Sequence, residues 1–386
     1  MIYLDYNATT PVDPRVLEAM LPMFTAEYAN PSSKHAAGQA AAELVEHARH
    51  DVAELVGTRR RHVVFTSGTT ESVNVGLRGA LACAEPGRRR ILIGATEHKA
   101  VAAAAEAAAA SCAGKVDTIG VHSDGTLDLD HLRWLLADDV AIVAVMAANN
   151  ETGAINDVRR AAALAHRYGA LFLCDIAQAA GKIPVTLDGW EVDMAAWSAH
   201  KLYGPKGVGA LAVGRAIQKR LTPLIVGGGQ ERGLRSGTVN TAGIVGFGQA
   251  SRLAAAEMEA DAGRLRHLVH LLQELVTERL GKAGTAVEVN GYGAPRLPNT
   301  VNLRFAGADA DAVLACMPDV LVSSGAACSS ADAEPSRVLL AMGLDAAAAL
   351  QSLRFSLGRP TTQQEIAAAA DRVADAVARV LSLGSH

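Results

Sequence analysis

The sequence is poor in aromatic residues: phenylalanine, tyrosine and tryptophan make up 4% of its 386 residues, so any core must rest on aliphatic side chains. It also has little net charge. A formal value of −4 provides no basic surface for nucleic acid, and the run Arg88-Arg89-Arg90 reads as a solvated turn ahead of a strand. The five cysteines, Cys83, Cys112, Cys174, Cys316 and Cys328, are odd in number and show no CxxC spacing, so neither a disulfide framework nor a zinc site is indicated. No apolar run is long enough to cross a bilayer; the alanine-rich 101–110 is too short. The start, MIYLDYNATT, lacks the charged and apolar regions of a secretory signal. A cytoplasmic protein that works without membrane or nucleic acid is expected.

What is present is an alternation of short apolar runs and helical periods. Strands are predicted at 63–65, 91–93, 116–119, 141–146 and 171–174, with helices at 14–24, 36–56, after Gly68, 99–110, 129–136 and 158–168. That order predicts an α/β fold with a mainly parallel sheet and ligand residues at the C-terminal strand ends. The texture changes at Gly227, where 227–233 reads as a flexible glycine-rich loop, followed by a long helix over 241–280. Strands near 287, 301–305 and 321–322 and helices over 309–315, 335–342 and 362–381 complete a smaller α+β portion. The expected division is a large domain over 15–259 and a small one formed by 1–14 with 260–386.

One stretch suggests chemistry. The apolar run ending in Asp175 is followed by Gln178, and a second run ends in Ser198-Ala199-His200-Lys201. A lysine and an acid at neighbouring strand ends suit pyridoxal phosphate, which needs an amine for its Schiff base and a carboxylate to keep its ring nitrogen protonated. Thr66-Ser67-Gly68-Thr69-Thr70-Glu71-Ser72 could cradle the phosphate on a helix N-terminus, although it reads equally well as an ordinary capped helix. The lysine site favours the phosphate.

These pieces, together with YLDYNATTPVDPRV, TEHKAV, ANNETG, DIAQAAGK, SAHKLYGPKGVGAL, GGGQERGLRSGT, SSGAACSSADAEPS and LRFSLGR, cover nearly the whole chain. In this order the set resembles the class V aminotransferase family, and within it the cysteine desulfurases of the nitrogen-fixation and iron–sulfur type. The resemblance implies the fold type I architecture of pyridoxal-phosphate transferases. It implies Lys201 as the Schiff-base lysine and proton carrier, Asp175 on the pyridine nitrogen, and Gln178 with Asn150 near the phenolic oxygen. His98, which by itself reads as a helix cap, becomes the residue stacked on the ring and a proton shuttle. Thr69, Thr70, Ser198 and His200 become phosphate ligands, and Thr238 reaches the phosphate from the partner subunit of a homodimer. Arg354 would hold the carboxylate of L-cysteine, with Asn7, His35 and Asn150 near the substrate. Cys328 would take the sulfur as a persulfide and pass it to an acceptor protein that the sequence does not identify.

Two departures bear on this reading. The cysteine loop reads SSGAACSS where bacterial desulfurases commonly carry SSGSACTS, and Ala147-Ala148 stand where relatives often have a larger aromatic or histidine. Arg296-Leu297-Pro298-Asn299-Thr300 and Gly325-Ala326-Ala327-Cys328 also resemble selenocysteine lyases. A transaminase or lyase of the same fold that makes no use of Cys328 is the other alternative.

Overall fold

The computed structural model describes residues 1–282, 284–324 and 334–383. Its strands, in chain order, are β1 (Ile2–Tyr3), β2 (Val63–Thr66), β3 (Arg90–Gly94), β4 (Lys115–Ile119), β5 (Val140–Met146), β6 (Leu171–Asp175), β7 (Met194–Ser198), β8 (Gly209–Val213), β9 (Val287–Val289), β10 (Thr300–Phe305), β11 (Val320–Leu321) and β12 (Ser352–Ser356). Seven of them form one sheet in the order β2-β8-β7-β6-β5-β3-β4. Strands β2, β5, β7 and β8 are buried at every residue, the pattern of strands covered on both faces. Alternation along each strand splits the packing into two layers. In β6, Phe172 and Cys174 join the layer of helices Ala36–Leu55 and Val158–Arg167, whereas Leu173 joins that of Thr69–Ala82 and Lys99–Ala110.

Strand β8 alone runs against its neighbours, pairing antiparallel with both β2 and β7. The sequence reading had no strand here. Only residues 199–208 separate β7 from β8, too few for the crossover that a parallel strand requires, so the chain turns back. The helix expected over 14–24 is likewise two pieces, Pro14–Met20 and Pro22–Thr25, because Pro22 cannot donate to the turn before it. Six strands therefore end on one edge of the sheet, at Thr66, Gly94, Ile119, Met146, Asp175 and Ser198.

A second apolar core lies over the antiparallel sheet β12-β10-β9. It joins Val301, Leu303, Leu353 and Phe355 to Ile366, Val373 and Val377 of helix Gln363–Leu383, and to Leu4 from the N-terminal segment. Helix Thr241–Lys282 serves both cores. Its first half contributes Ile244, Phe247 and Ala254 to the large sheet, and its second half contributes Leu265, Leu272 and Val276 to the small one. Among the described residues no helix is long and apolar enough to cross a membrane.

The glycine-rich segment expected to be a flexible loop is pinned from two sides. Both oxygens of the Glu231 carboxylate accept from Arg49, each at 2.7 Å, and one also accepts the Phe65 backbone N–H at 2.7 Å. Arg49 in turn lies over the Phe65 ring, 4.5 Å from its centroid. Arg235 pairs with Glu71 at 2.9 Å. The backbone is left-handed at Glu231 and Arg232, with φ of 48° and 60°, a conformation that costs energy in residues other than glycine and persists only when neighbours enforce it. Both side chains of the Arg49–Glu231 pair are almost fully buried, so removing one leaves the other an uncompensated charge. Glu231→Ala is expected to destabilise the protein by about 3–5 kcal/mol in denaturant unfolding. A loss below about 1 kcal/mol would mean that water reaches Arg49 readily.

Candidate active site

The edge where the six strands end opens into a cavity of about 610 Å³. Lys201, Asp175, Gln178, Ser198, His200, His98, Thr69, Thr70, Asn150, Asn7 and Arg354 all line it. Of the other site residues expected from the sequence, His35 caps helix Ala36–Leu55, its Nδ1 accepting from Gly38 N at 3.2 Å, and does not line the cavity. Thr238 is exposed and outside it. Cys328 lies outside the described residues. The chain leaves them at Ser324 and re-enters at Glu334, and both Ser323 and Glu334 border a smaller recess of about 230 Å³ that shares His98, Asn150 and Arg354 with the large cavity.

Lys201 sits in the short turn Ala199–Lys201 directly after β7. Its Nζ donates to the backbone carbonyls of Asn7 at 2.5 Å and Ala8 at 2.8 Å. Burial, then the charge of Arg354, bring this amine down to about 8 from the usual lysine value. Asp175 ends β6 with one carboxylate oxygen accepting from Ala177 N at 2.9 Å. Burial pushes its carboxyl up to about 6, against the pull of that hydrogen bond and of Lys201. A cation placed at Asp175 would restore its full ionisation, since an opposite charge favours the charged form.

At the other end of the cavity, helix Thr69–Ala82 starts without a side-chain cap, so the N–H groups of its first turn have no partner within the helix. The hydroxyls of Thr69 and Ser198 are buried beside it and make no hydrogen bond among the described residues. Each such orphan costs roughly 1–3 kcal/mol, so hydroxyls and N–H groups together form a cradle that favours an anion. Gly209 allows the cradle to close. A Cβ there would lie 2.6 Å from Gly68 Cα and 2.7 Å from the Trp197 carbonyl oxygen. His200 completes this end, its Nδ1 3.1 Å from Thr9 Oγ1, and burial with the nearby lysines Lys201, Lys206 and Lys182 holds it down to about 4.

His98 is both a cap and a wall of the cavity. It is the N-cap of helix Lys99–Ala110, and its Nδ1 accepts from Ala100 N at 3.1 Å, which puts the proton of the neutral ring on Nε2. Burial, then Lys201, lower its affinity for a second proton. Arg354, in β12, spends Nη1 on the Asn150 carbonyl at 3.1 Å and Nη2 on Asp5 at 2.5 Å, while its buried Nε has no partner among the described residues. Ala148 also lines the cavity, where its methyl leaves room.

Sequence reasoning missed two contributors. The acid Glu97, next to His98, is fully buried; Met146 N donates to one oxygen at 2.6 Å and the other has no partner among the described residues, and burial pushes its carboxyl well above the usual range. Lys182 holds Asn7 and Gln178. Asn7 is the centre of the contacts. Its N–H donates to Ser356 Oγ, its Nδ2 to the Asn150 carbonyl and Thr300 Oγ1, and its own carbonyl accepts from Lys201 and Gln178. The motif YLDYNATTPVDPRV places Asn7 near the substrate but says nothing of these bonds, and the motif DIAQAAGK contains Lys182 without marking it.

The fold and this arrangement have relatives. The family model for aminotransferase class V matches residues 2–368. A protein of Frankia sp. (strain EuIK1) named cysteine desulfurase is 59% identical over 99% of this chain and 93% of its own length. Another, named cysteine desulfurase IscS, from Anaeromyxobacter sp. (strain Fw109-5), is 46% identical over 95% of this chain and 89% of its own. A solved structure described as a NifS-like protein superposes with a TM-score of 0.89 at 34% identity, covering 98% of this chain and 99% of the other. With a family model spanning nearly every residue and relatives matched end to end, the chain belongs to the class V aminotransferase family.

Proposed function

We propose that the protein is a cysteine desulfurase: it takes sulfur from L-cysteine onto Cys328, leaves L-alanine, and passes the sulfur to an acceptor protein. The observation that carries this is the anion cradle, with the orphan hydroxyls of Thr69 and Ser198, in the same cavity as Lys201 and Asp175. The donor set fits pyridoxal phosphate: phosphate at the helix N-terminus with Thr70 and His200, the ring nitrogen at Asp175, the amine of Lys201 at the aldehyde carbon. Bound there, the cofactor supplies an electron sink for the substrate's α-carbon. The desulfurase and NifS-like names of the relatives above favour sulfur chemistry over the selenocysteine and transaminase alternatives.

The chain's own residues would divide the work as follows. Asp175, ionised beside a protonated ring nitrogen, keeps that proton in place. Lys201, uncharged in a large fraction of molecules near pH 8, accepts and returns the substrate's α-proton. His98 offers an Nε2–H over the same space and Gln178 an amide. Arg354 turns its fork to the substrate carboxylate, with Asn7 and Asn150 alongside. The Cys328 thiolate then attacks the substrate sulfur; the carbon–sulfur bond breaks with its electron pair going to carbon, which takes a proton and becomes the methyl group of alanine. The chain around Cys328 is tethered at Ser323 and Glu334, both on the recess next to Arg354, which supports delivery of the thiol to this cavity. Thr238 and the exposed Leu224 and Val226 on the same segment favour a homodimer in which Thr238 meets the partner copy's phosphate site. A cytoplasmic setting suits a thiol that must stay reduced between turnovers.

Three outcomes test the reading. After addition of L-cysteine, mass spectrometry should find one extra sulfur on the peptide bearing Cys328, and Cys328→Ser should make neither that adduct nor alanine; alanine formed by Cys328→Ser at the wild-type rate sinks the persulfide step. The rate at which apoprotein takes up pyridoxal phosphate should rise with pH and reach half its maximum near about 8, because the nucleophile is the neutral amine and its population grows as Lys201 loses its proton; a midpoint near the ordinary lysine value counts against the site. Gly209→Ala should weaken cofactor affinity by at least about tenfold, read by absorbance titration, since the added methyl pushes Gly68 out of the cradle.

A further inference from the structure

Lys182 is four residues beyond Gln178 and has no part in the chemistry above, yet its contacts are specific. Its Nζ donates to Gln178 Oε1 at 2.5 Å and to Asn7 Oδ1 at 2.9 Å. Gln178 Nε2 donates in turn to the Asn7 carbonyl at 2.9 Å. Three residues thus close a ring of three hydrogen bonds, and the Asn7 backbone carbonyl that completes it is the same atom that receives Lys201. No carboxylate forms an ion pair with Lys182 among the described residues, and the charged groups that face it are Lys201 and Arg354, both cations. Burial and those charges hold its amine well below the usual lysine range.

The consequence falls on Gln178. The two ends of a glutamine amide are nearly identical in shape, and only the polarity of their neighbours decides which way the group points. The Lys182 amine donates to Oε1, and the Asn7 carbonyl can only accept from Nε2. That leaves the second N–H of Gln178, which lines the cavity, without a partner among the described residues. We propose that Lys182 is a positioning residue: its amine locks the Gln178 amide so that an N–H, and not a carbonyl oxygen, is offered to an anionic oxygen on the bound cofactor ring. The inference rests on the reading that the cavity takes pyridoxal phosphate, whose ring carries an ionisable oxygen. Freed from Lys182, the amide is held through Nε2 alone and offers its N–H less firmly, so that oxygen holds its proton more tightly.

The test is a pH titration of the visible absorbance of the holoenzyme in the wild type, Lys182→Met, Gln178→Ala and the double variant, with thermal unfolding of each. Lys201, Asp175, His98 and His200 line the same cavity and are unchanged in all four. Lys182→Met is expected to raise the spectroscopic midpoint by about one pH unit, a tenfold change in proton affinity. In the Gln178→Ala background the same substitution should add nothing, because the two act as one unit. A midpoint that does not move in folded Lys182→Met, or a full shift that persists without Gln178, overturns the proposal, since a merely structural lysine would lower the unfolding temperature and leave the spectrum alone. If Lys182→Met does not yield folded holoenzyme, Lys182→Gln, too short to reach both acceptors, carries the same comparison. A wild type without visible absorbance, or one that keeps it in Lys201→Ala, overturns the pyridoxal-phosphate reading and this inference with it; a failure confined to the Lys182 variants overturns the inference alone.

Discussion

Two lysine amines lie side by side in this protein with no carboxylate bonded to either among the described residues, and the neutral oxygens of Asn7, Ala8 and Gln178 satisfy them instead. That constraint orders the rest of the site. A buried ammonium without a counter-ion is costly, so both amines lose basicity, one moderately and one strongly. An ion pair at Lys201 would have kept it charged and unable to act as a nucleophile or base. Carbonyl acceptors hold the amine in position without supplying the charge that would stabilise its proton.

The large sheet makes this arrangement possible by sending six strand ends to one edge. Burial on both faces fixes their register, since a slip by one residue would turn Phe172 or Trp197 into the wrong layer. The acid, the cradle hydroxyls and the lysine are therefore placed by packing far from the chemistry. The opposite wall comes from the smaller sheet, through Arg354 on β12, and the two sheets meet on the N-terminal segment. Helix Thr241–Lys282 joins the cores mechanically; Asn7 joins them chemically.

Much of this was legible in the sequence because it depends on local pattern. Apolar runs that end in Asp175 and Ser198, and a glycine-hydroxyl turn before a helical period, announce strand ends and a phosphate cradle without knowledge of the fold. The helix break at Pro22 was equally readable and was overlooked. What stayed hidden depends on pairs distant in the chain. Nothing near Glu231 indicates that its partner is Arg49, and the composition of 227–233, all glycine and polar residues, points to mobility when an ion pair and the Phe65 N–H in fact hold it. Strand β8 was missed because its direction follows from the length of the preceding connection and not from its own residues. Asn7 and Lys182 were invisible as a pair because their meaning lies in which oxygen faces which nitrogen.

The reliance on the N-terminal segment has a consequence for how the protein is made. The Asn7 N–H is bonded to Ser356 Oγ, 349 positions away, and its side chain to Thr300, 293 positions away. While the chain is synthesised from its N-terminus, strands β2 to β8 can fold as a unit well before residue 300 exists, since domains form in order of synthesis. Through that interval Asn7 can be held from the large sheet alone, by Gln178 and Lys182, and the cavity lacks the wall that carries Arg354. The site is complete only when β12 has been made, so a nascent or truncated chain is a folded sheet without a competent site.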